Sequence, residues 1–293
     1  MLRLFLSLLV FFHFSLFSFA QQRYSLIQQR NFSSYLLEKH LYLNCNSLLN
    51  EVEKNYSLNT AQRDSLNLLH AICFSKLSWN DSAAIRFAQV SKASPDYYFA
   101  GFNAVLKLIE ANKIEEPEKL LLNYQPADAM QTQLSGIYLN SLLLLNQDLS
   151  GFEAHITVTN LSKDYFSMRN EELKKAELKI KKANKKSPFL AGLMSTVIPG
   201  TGKIYSGKWR QGLISMVPLT LMGFQTYEAY RLQGVKSARF IVFGGLFSLF
   251  YIGNIYGSAV SVNVRKTEIE HEVHDEVVLS LRMCLQHVFG QSY

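Results

Sequence analysis

Three places in this sequence carry residue types that do chemistry in other proteins. The first is Pro199-Gly200-Thr201-Gly202-Lys203. Phosphate loops end in Gly-Lys, because the amides of a glycine-rich turn cradle phosphate oxygens and the lysine reaches across them. Both flanks fail the pattern. It needs a glycine at position 197, where Val197 stands, and Ser or Thr after the lysine, where Ile204 stands; no strand precedes it. A turn is the better reading, with Pro199 ending one apolar segment and the glycines letting the chain reverse. The second place is His271 and His274 among Glu270, Glu272 and Asp275. Two imidazoles three residues apart share a helix face, but no third ligand falls at a zinc spacing, so a solvated face is expected. The third is Cys45, Cys73 and Cys284, which form no CxxC pair and so suggest no zinc site. Cys45 and Cys73 either face each other across a helical hairpin, where export permits a disulfide, or pack as buried free thiols. No Ser/His/Asp or Cys/His arrangement and no paired acids stand out. No enzyme, cofactor or metal is expected.

The elements that hold these residues follow from composition. Charged residues make up 18% of the 293-residue chain, below the usual figure of about 25%. The apolar excess is concentrated in residues 1–20, 188–207, 212–230 and 240–262. The stretch between 21 and 186 has ordinary soluble composition. Residues 1–20 read as a cleaved export signal: Arg3, an apolar run, then Ser18-Phe19-Ala20 before polar Gln21-Gln22. The formal charge is +7. Much of it is local, since residues 169–186 hold eight Lys/Arg against three Glu. That run, a basic connector at 166–186, shows no apolar face wide enough for a core. It adjoins the apolar segments, so Lys181, Lys182, Lys185 and Lys186 are read as contacts to anionic lipid headgroups rather than nucleic acid. A solvated linker is the competing reading.

Residues 21–165 carry helical periodicity. Apolar side chains recur at spacings of three and four in Leu66/Leu69/Cys73/Leu77, Phe99/Phe102/Val105/Leu106/Ile109 and Leu134/Ile137/Tyr138/Ser141/Leu142/Leu145. Asn80-Asp81 and Ser94-Pro95-Asp96 are expected to cap helix starts. Residues 64–97 resemble a tetratricopeptide repeat, with Ala71 and Ala83 at small positions, Phe74 and Phe87 at large ones, then Val90 and Pro95. His70 departs from it, as do the missing Trp and Pro117. A degenerate array of three to four hairpins is expected. The resemblance implies a surface that binds a protein partner.

Residues 187–263 read as a membrane module. The uncharged run 240–262 is the strongest transmembrane segment. Residues 212–230 form a second, with Pro218, Gly223 and Glu228 inside. Residues 188–207, short and broken by the turn, suit a re-entrant hairpin. Residues 264–293 are left as a C-terminal tail, acidic to Glu276, with 277–289 docking as helix or strand. Ile198-Pro199-Gly200-Thr201-Gly202, Ile204-Tyr205 and Gly207, with Gly253-Asn254-Ile255-Tyr256-Gly257, resemble a bacterial membrane module of uncharacterised function that carries PGxGxxYxG and GNIYG patterns. Lys203 stands where that family commonly has Gln. The family sometimes accompanies a membrane protein insertion efficiency factor, which implies a place in envelope protein biogenesis. Gly253 and Gly257 lie one turn apart, so a helix can approach there. Asn254, a polar group in hydrocarbon, needs a partner, for which the 199–205 turn is the candidate.

The sequence therefore predicts an all-α chain: a tetratricopeptide-like helical-repeat domain followed by a small helical transmembrane module. The functional expectation is a non-enzymatic, membrane-anchored interaction or scaffold protein, in a bacterial inner membrane with its N-terminal domain exported to the periplasm. The alternative is a component of a small transporter or channel assembly. Membrane lipid and a protein partner are expected, with a homo-oligomer through the transmembrane helices compatible and nucleic acid not expected. Two crossings would leave Arg231, Lys236 and Arg239 in a cytoplasmic loop, in keeping with the positive-inside rule. A full span at 188–205 would make three.

Overall fold

The computed structural model describes residues 25–113, 115–158 and 165–290. The export signal lies outside these residues. The fold is all-α, with thirteen helices and no strand among the described residues. Packing divides the chain into two compact units, one ending at Tyr124 and the other beginning at Gln125.

The first unit contains α1 (Leu26–Glu38), α2 (Tyr42–Asn55), α3 (Thr60–Lys76), α4 (Asn80–Ala88), α5 (Tyr97–Glu110) and α6 (Glu115–Leu122). Two helix starts carry reciprocal capping boxes, Ser25 with Gln28 and Asn59 with Gln62. Each satisfies two backbone donors that a helix leaves orphaned at its start. The caps expected at Asn80-Asp81 and Ser94-Pro95-Asp96 do not form. Trp79 and Asp96 occupy the cap positions, and neither side chain bonds a helix amide. The core is built on Cys45, Leu49, Leu66, Ala71, Ala83 and Phe87, and on α5, whose residues from Phe99 to Ile109 are all buried. Ala71 and Ala83 are fully buried, as close α3–α4 packing requires.

Polar groups tie the unit together. The Arg86 guanidinium donates to both Glu53 carboxylate oxygens, at 2.9 and 2.8 Å, and to Asn67 Oδ1 at 3.1 Å. Beneath it, His70 Nδ1 lies 3.0 Å from Asn46 Oδ1. The imidazole is fully buried, and that burial, with Arg86 nearby, pushes its pKa down to about 4. The Arg86 hydrogen bond likewise holds Glu53 below the usual carboxylate value. Cys45 and Cys73 are buried free thiols in one core cluster.

The second unit contains α7 (Ala129–Leu145), α8 (Leu149–Val158), α9 (Tyr165–Asn184), α10 (Pro188–Val197), α11 (Thr201–Ser206), α12 (Trp209–Gln233) and α13 (Ala238–Phe289). Its apolar core places Leu134, Ile137, Tyr138 and Leu142 of α7 with Leu173 and Ile180 of α9, and with Val277, Leu281 and Leu285 of α13. The sequence boundary at residue 165 does not coincide with the packing boundary, because α7 packs on α9 and α13. The connector also differs from its reading. α9 buries Phe166, Asn170, Leu173, Ala176, Glu177, Ile180 and Ala183. These positions recur at three and four residues and form a helix face. Half of that face is Ala, Asn and Glu, which hides it from a hydropathy reading. The C-terminal tail is a helix too. Residues 264–289 continue α13, and the ring of His287 stacks on Tyr165 at 4.3 Å.

One local device recurs. At the ends of α1, α3, α5 and α7 the next residue but one, His40, Ser78, Asn112 or Gln147, has φ near +58° to +59°. The amide after each donates five residues back: Leu41 to Leu36, Trp79 to Phe74, Lys113 to Leu108 and Asp148 to Leu143, at 2.8–3.0 Å. This is the Schellman helix ending, made here without glycine.

Candidate functional site: the α10–α13 hairpin module

Ser187 opens the module. Its hydroxyl accepts from the Leu190 amide and Pro188 occupies the first helical turn, where a missing N–H costs nothing. After α10 the chain extends through Ile198 and reverses at Gly200, φ +86°. Thr201 Oγ1 donates to the carbonyls of Met194 and Ile198 at 2.8 and 2.7 Å. The reversal lays α11 back on α10 so tightly that side chains are excluded. A Cβ on Gly202 would sit 1.9 Å from the Ala191 carbonyl oxygen, and one on Gly200 would sit 2.4 Å from that of Gly212. Gly207, φ +101°, ends α11 in another Schellman turn, with Lys208 donating to Lys203. Tyr205 fixes the base of the hairpin, its hydroxyl accepting from the Ser187 amide at 3.2 Å.

A ladder of hydroxyls joins this hairpin to α13. The Gly202 amide donates to Ser195 Oγ at 2.9 Å, and Ser195 Oγ donates to Ser258 Oγ at 2.8 Å. Ser261 Oγ lies 3.0 Å from Ser206 Oγ. Tyr251 donates from its hydroxyl to the Thr196 carbonyl. α12 and α13 pack as a hairpin closed by Gly234, φ +75°. Gly223 meets the Phe247 ring at 3.1 Å from its would-be Cβ. Arg239 donates to Gln225 Oε1 and Glu228 Oε2 at 2.6 and 2.9 Å, so one of the three loop charges has a counter-ion.

Polarity runs opposite to that of the rest of the chain. Ser195, Ser206, Asn254, Ser258 and Ser261 are buried, while Phe189, Val197, Ile214, Leu221, Phe224, Ile241, Leu249, Ile252 and Tyr256 are exposed. Soluble surfaces rarely carry contiguous apolar patches of this extent. Among the described residues one helix, α13, is long and apolar enough to cross a membrane. Its 52 residues measure about 78 Å at about 1.5 Å per residue, against a hydrocarbon core of about 30 Å. Only its first half matches that thickness; the second half is the one that packs on α7 and α9.

The motif residues separate into two groups. Pro199, Gly200, Gly202, Tyr205 and Gly207 come together as the turn. Gly253 and Tyr256 point away: nothing lies within 4 Å of a Cβ on Gly253, and Tyr256 is 71% exposed. Gly257 meets only the Lys203 side chain, at 3.8 Å. Among the described residues no other helix's backbone lies within 4 Å of a Cβ at Gly253 or Gly257. Close approach happens instead at Gly200, Gly202 and Gly212. Asn254 is buried, and neither its amide nitrogen nor its oxygen has a partner among the described residues. The expected bond to the turn does not form; the Gly202 amide of the turn donates to Ser195 instead. Of the lysines read as headgroup contacts, Lys181 is committed within the protein, paired with Glu153 and Glu177. Lys182 and Lys185 are exposed and Lys186 is half-buried. The serine ladder was missed in the sequence because lone serines in an apolar run carry no spacing signal.

No protein-family model, no curated protein and no solved structure matches this chain.

Proposed function

We propose that this protein is a membrane-anchored interaction protein, with residues 187–263 embedded in a bacterial cell membrane and its helical hairpins displayed on the exported side to recruit a protein partner. The observation that carries the reading is the inverted polarity of α10–α13, apolar outside and hydroxyl-lined inside. In water that surface would aggregate; in lipid it is the favourable arrangement. The four identical Schellman turns favour a hairpin-repeat ancestry for residues 26–158, in keeping with the tetratricopeptide-like residues of α3 and α4. Arrays of this kind recruit proteins and rarely do chemistry. The resemblance of the 187–263 motifs to a bacterial membrane module supports an envelope role.

Alkaline carbonate extraction of membranes carrying the full chain tests the embedding. The protein should stay in the pellet; release into the supernatant would overturn the reading. Single cysteines at Lys236 and Gln286, in a background with Cys45, Cys73 and Cys284 replaced by alanine, test the orientation. An impermeant thiol reagent applied to intact cells should spare position 236 and label position 286; the reverse pattern would invert the topology.

A further inference from the structure

Where α9 ends, α11 ends and α13 leaves its apolar run, three elements of the second unit enclose a cavity of about 270 Å³. Its wall includes Lys182 from α9, Lys186 from the residues that follow α9, Ser206 and Gly207 from the α11 terminus, and Arg265, Lys266 and Glu272 from α13. Folding therefore brings four basic side chains from segments about 80 residues apart in sequence to one hollow. Gly207 leaves its backbone bare in the wall of the hollow. That backbone is left-handed, and a Cβ there would stand 3.5 Å from Lys186 Nζ and 3.9 Å from Arg265 Nε, so both cations lie over the face where a side chain would project.

Part of this charge is neutralised within the protein. Lys179 is paired with Glu272 and Glu276 at 2.9 and 2.5 Å, Arg265 pairs with Glu268 at 3.3 Å and with Glu272 at 4.0 Å, and Glu272 stands in the cavity wall. No carboxylate among the described residues pairs with Lys182, Lys186 or Lys266. Lys186 has only the Tyr205 ring, 5.9 Å away. Three lysines without a carboxylate partner, converging with the ion-paired Arg265 on a small hollow, fit a phosphate group, with the lysines acting as point charges.

The surroundings select the kind of phosphate. Val262, in the cavity wall, is the last residue of the apolar run of α13, and Val260 and Val264, two residues to either side of it on the same helix, are exposed apolar side chains. A basic hollow bordered on one side by exposed apolar surface suits an amphiphile, with its phosphate among the lysines and its acyl chains along the apolar helices. We infer that the Lys182/Lys186/Arg265/Lys266 hollow at Gly207 binds the phosphate headgroup of an anionic phospholipid. The inference rests on the membrane embedding proposed above.

Detergent-purified full chain, added to nanodiscs of phosphatidylcholine with or without phosphatidylglycerol, tests it, with bound lipid read by native mass spectrometry. Wild type should retain phosphatidylglycerol in preference to phosphatidylcholine. Lys182→Gln/Lys186→Gln/Lys266→Gln should weaken that retention on the order of a hundredfold, each lysine contributing about fivefold near an anionic surface. Lys54→Gln/Lys92→Gln/Lys119→Gln, which removes the same charge from exposed sites in the first unit, should leave it unchanged. Equal retention by both triple variants, or no preference in wild type, would overturn the site. Competition by millimolar inorganic phosphate as strong as that by the lipid would overturn the lipid assignment. Carbonate extraction of the same proteins reads the embedding separately: a chain that remains embedded but shows no lipid preference refutes the site alone, and a chain released from membranes refutes the reading beneath it.

Discussion

Gly202→Ala places a methyl carbon 1.9 Å from the Ala191 carbonyl oxygen, and both atoms belong to backbone that cannot rotate away. To reach an ordinary contact of 3.4 Å, α11 must retreat from α10 by about 1.5 Å, the difference of those two distances. A retreat of that size opens the 2.9 Å bond from the Gly202 amide to Ser195 Oγ beyond hydrogen-bonding range and detaches the hairpin from the Ser258 rung of α13. Overpacking costs about 1–3 kcal/mol and the lost hydrogen bond about 0.5–1.5 kcal/mol. Together they predict a loss of about 2–4 kcal/mol, or about 4–16 °C in melting temperature for a cooperative unit of this size. The assay is thermal unfolding of the purified full chain in detergent, in a Trp79→Phe background, followed by the fluorescence of Trp209 at the start of α12. Gly253→Ala is the control, because nothing lies within 4 Å of its would-be methyl. There the added side chain only improves helix propensity, by about 0.5–1 kcal/mol. If Gly202→Ala melted with wild type, or if the two variants were equally impaired, the close-approach argument for the turn would be refuted.

His70 is held neutral by burial, its pKa down to about 4 against 6.5 when exposed. The unfolded chain therefore takes up a proton first, and stability that is complete above pH 6.5 falls as the pH drops toward about 4, by about 3 kcal/mol in all. Urea unfolding across that range should show the loss, and His70→Gln should reduce it, leaving the contribution of His155, whose pKa burial also lowers, and the fall at lower pH that comes from carboxylates such as Glu53; an unchanged slope would exclude His70 as its source. Ser78→Gly should stabilise the protein by about 1 kcal/mol, because an L-residue at φ +59° carries left-handed strain; a lower urea midpoint would contradict the Schellman assignment. Mass spectrometry of the mature N-terminus should find Gln21 first, and an intact Met1 species in mature membranes would count against signal cleavage.

The amino-acid sequence by itself determined the helical class, one helix long and apolar enough to cross a membrane, and the turn. Those signals are local. Three-and-four periodicity marks a face, a run of 23 uncharged residues from 240 to 262 marks a membrane-sized helix, and Pro-Gly-Thr-Gly marks a reversal. Several buried positions of α3 and α5 were marked by spacing, as Leu66, Cys73, Phe99, Phe102, Val105 and Ile109 show, although α5 buries the residues between them too. What only the tertiary structure decided concerns partners distant along the chain. The α9 stripe of Asn170, Ala176, Glu177 and Ala183 becomes a core face only because α13 and α7 cover it. Lys181 changes from a free charge to a paired one because Glu153 folds beside it. Ser195, Ser206, Ser258 and Ser261 become a ladder only when α10 and α11 lie on α13. Asn254 illustrates the limit. Its type demanded a partner, but in the fold neither of its polar side-chain atoms meets one among the described residues, and the Gly202 amide of the turn goes to Ser195. Spacing records what a helix can present; which groups meet depends on long-range packing, because the hydrophobic effect that drives it is non-directional and leaves no mark at any single position.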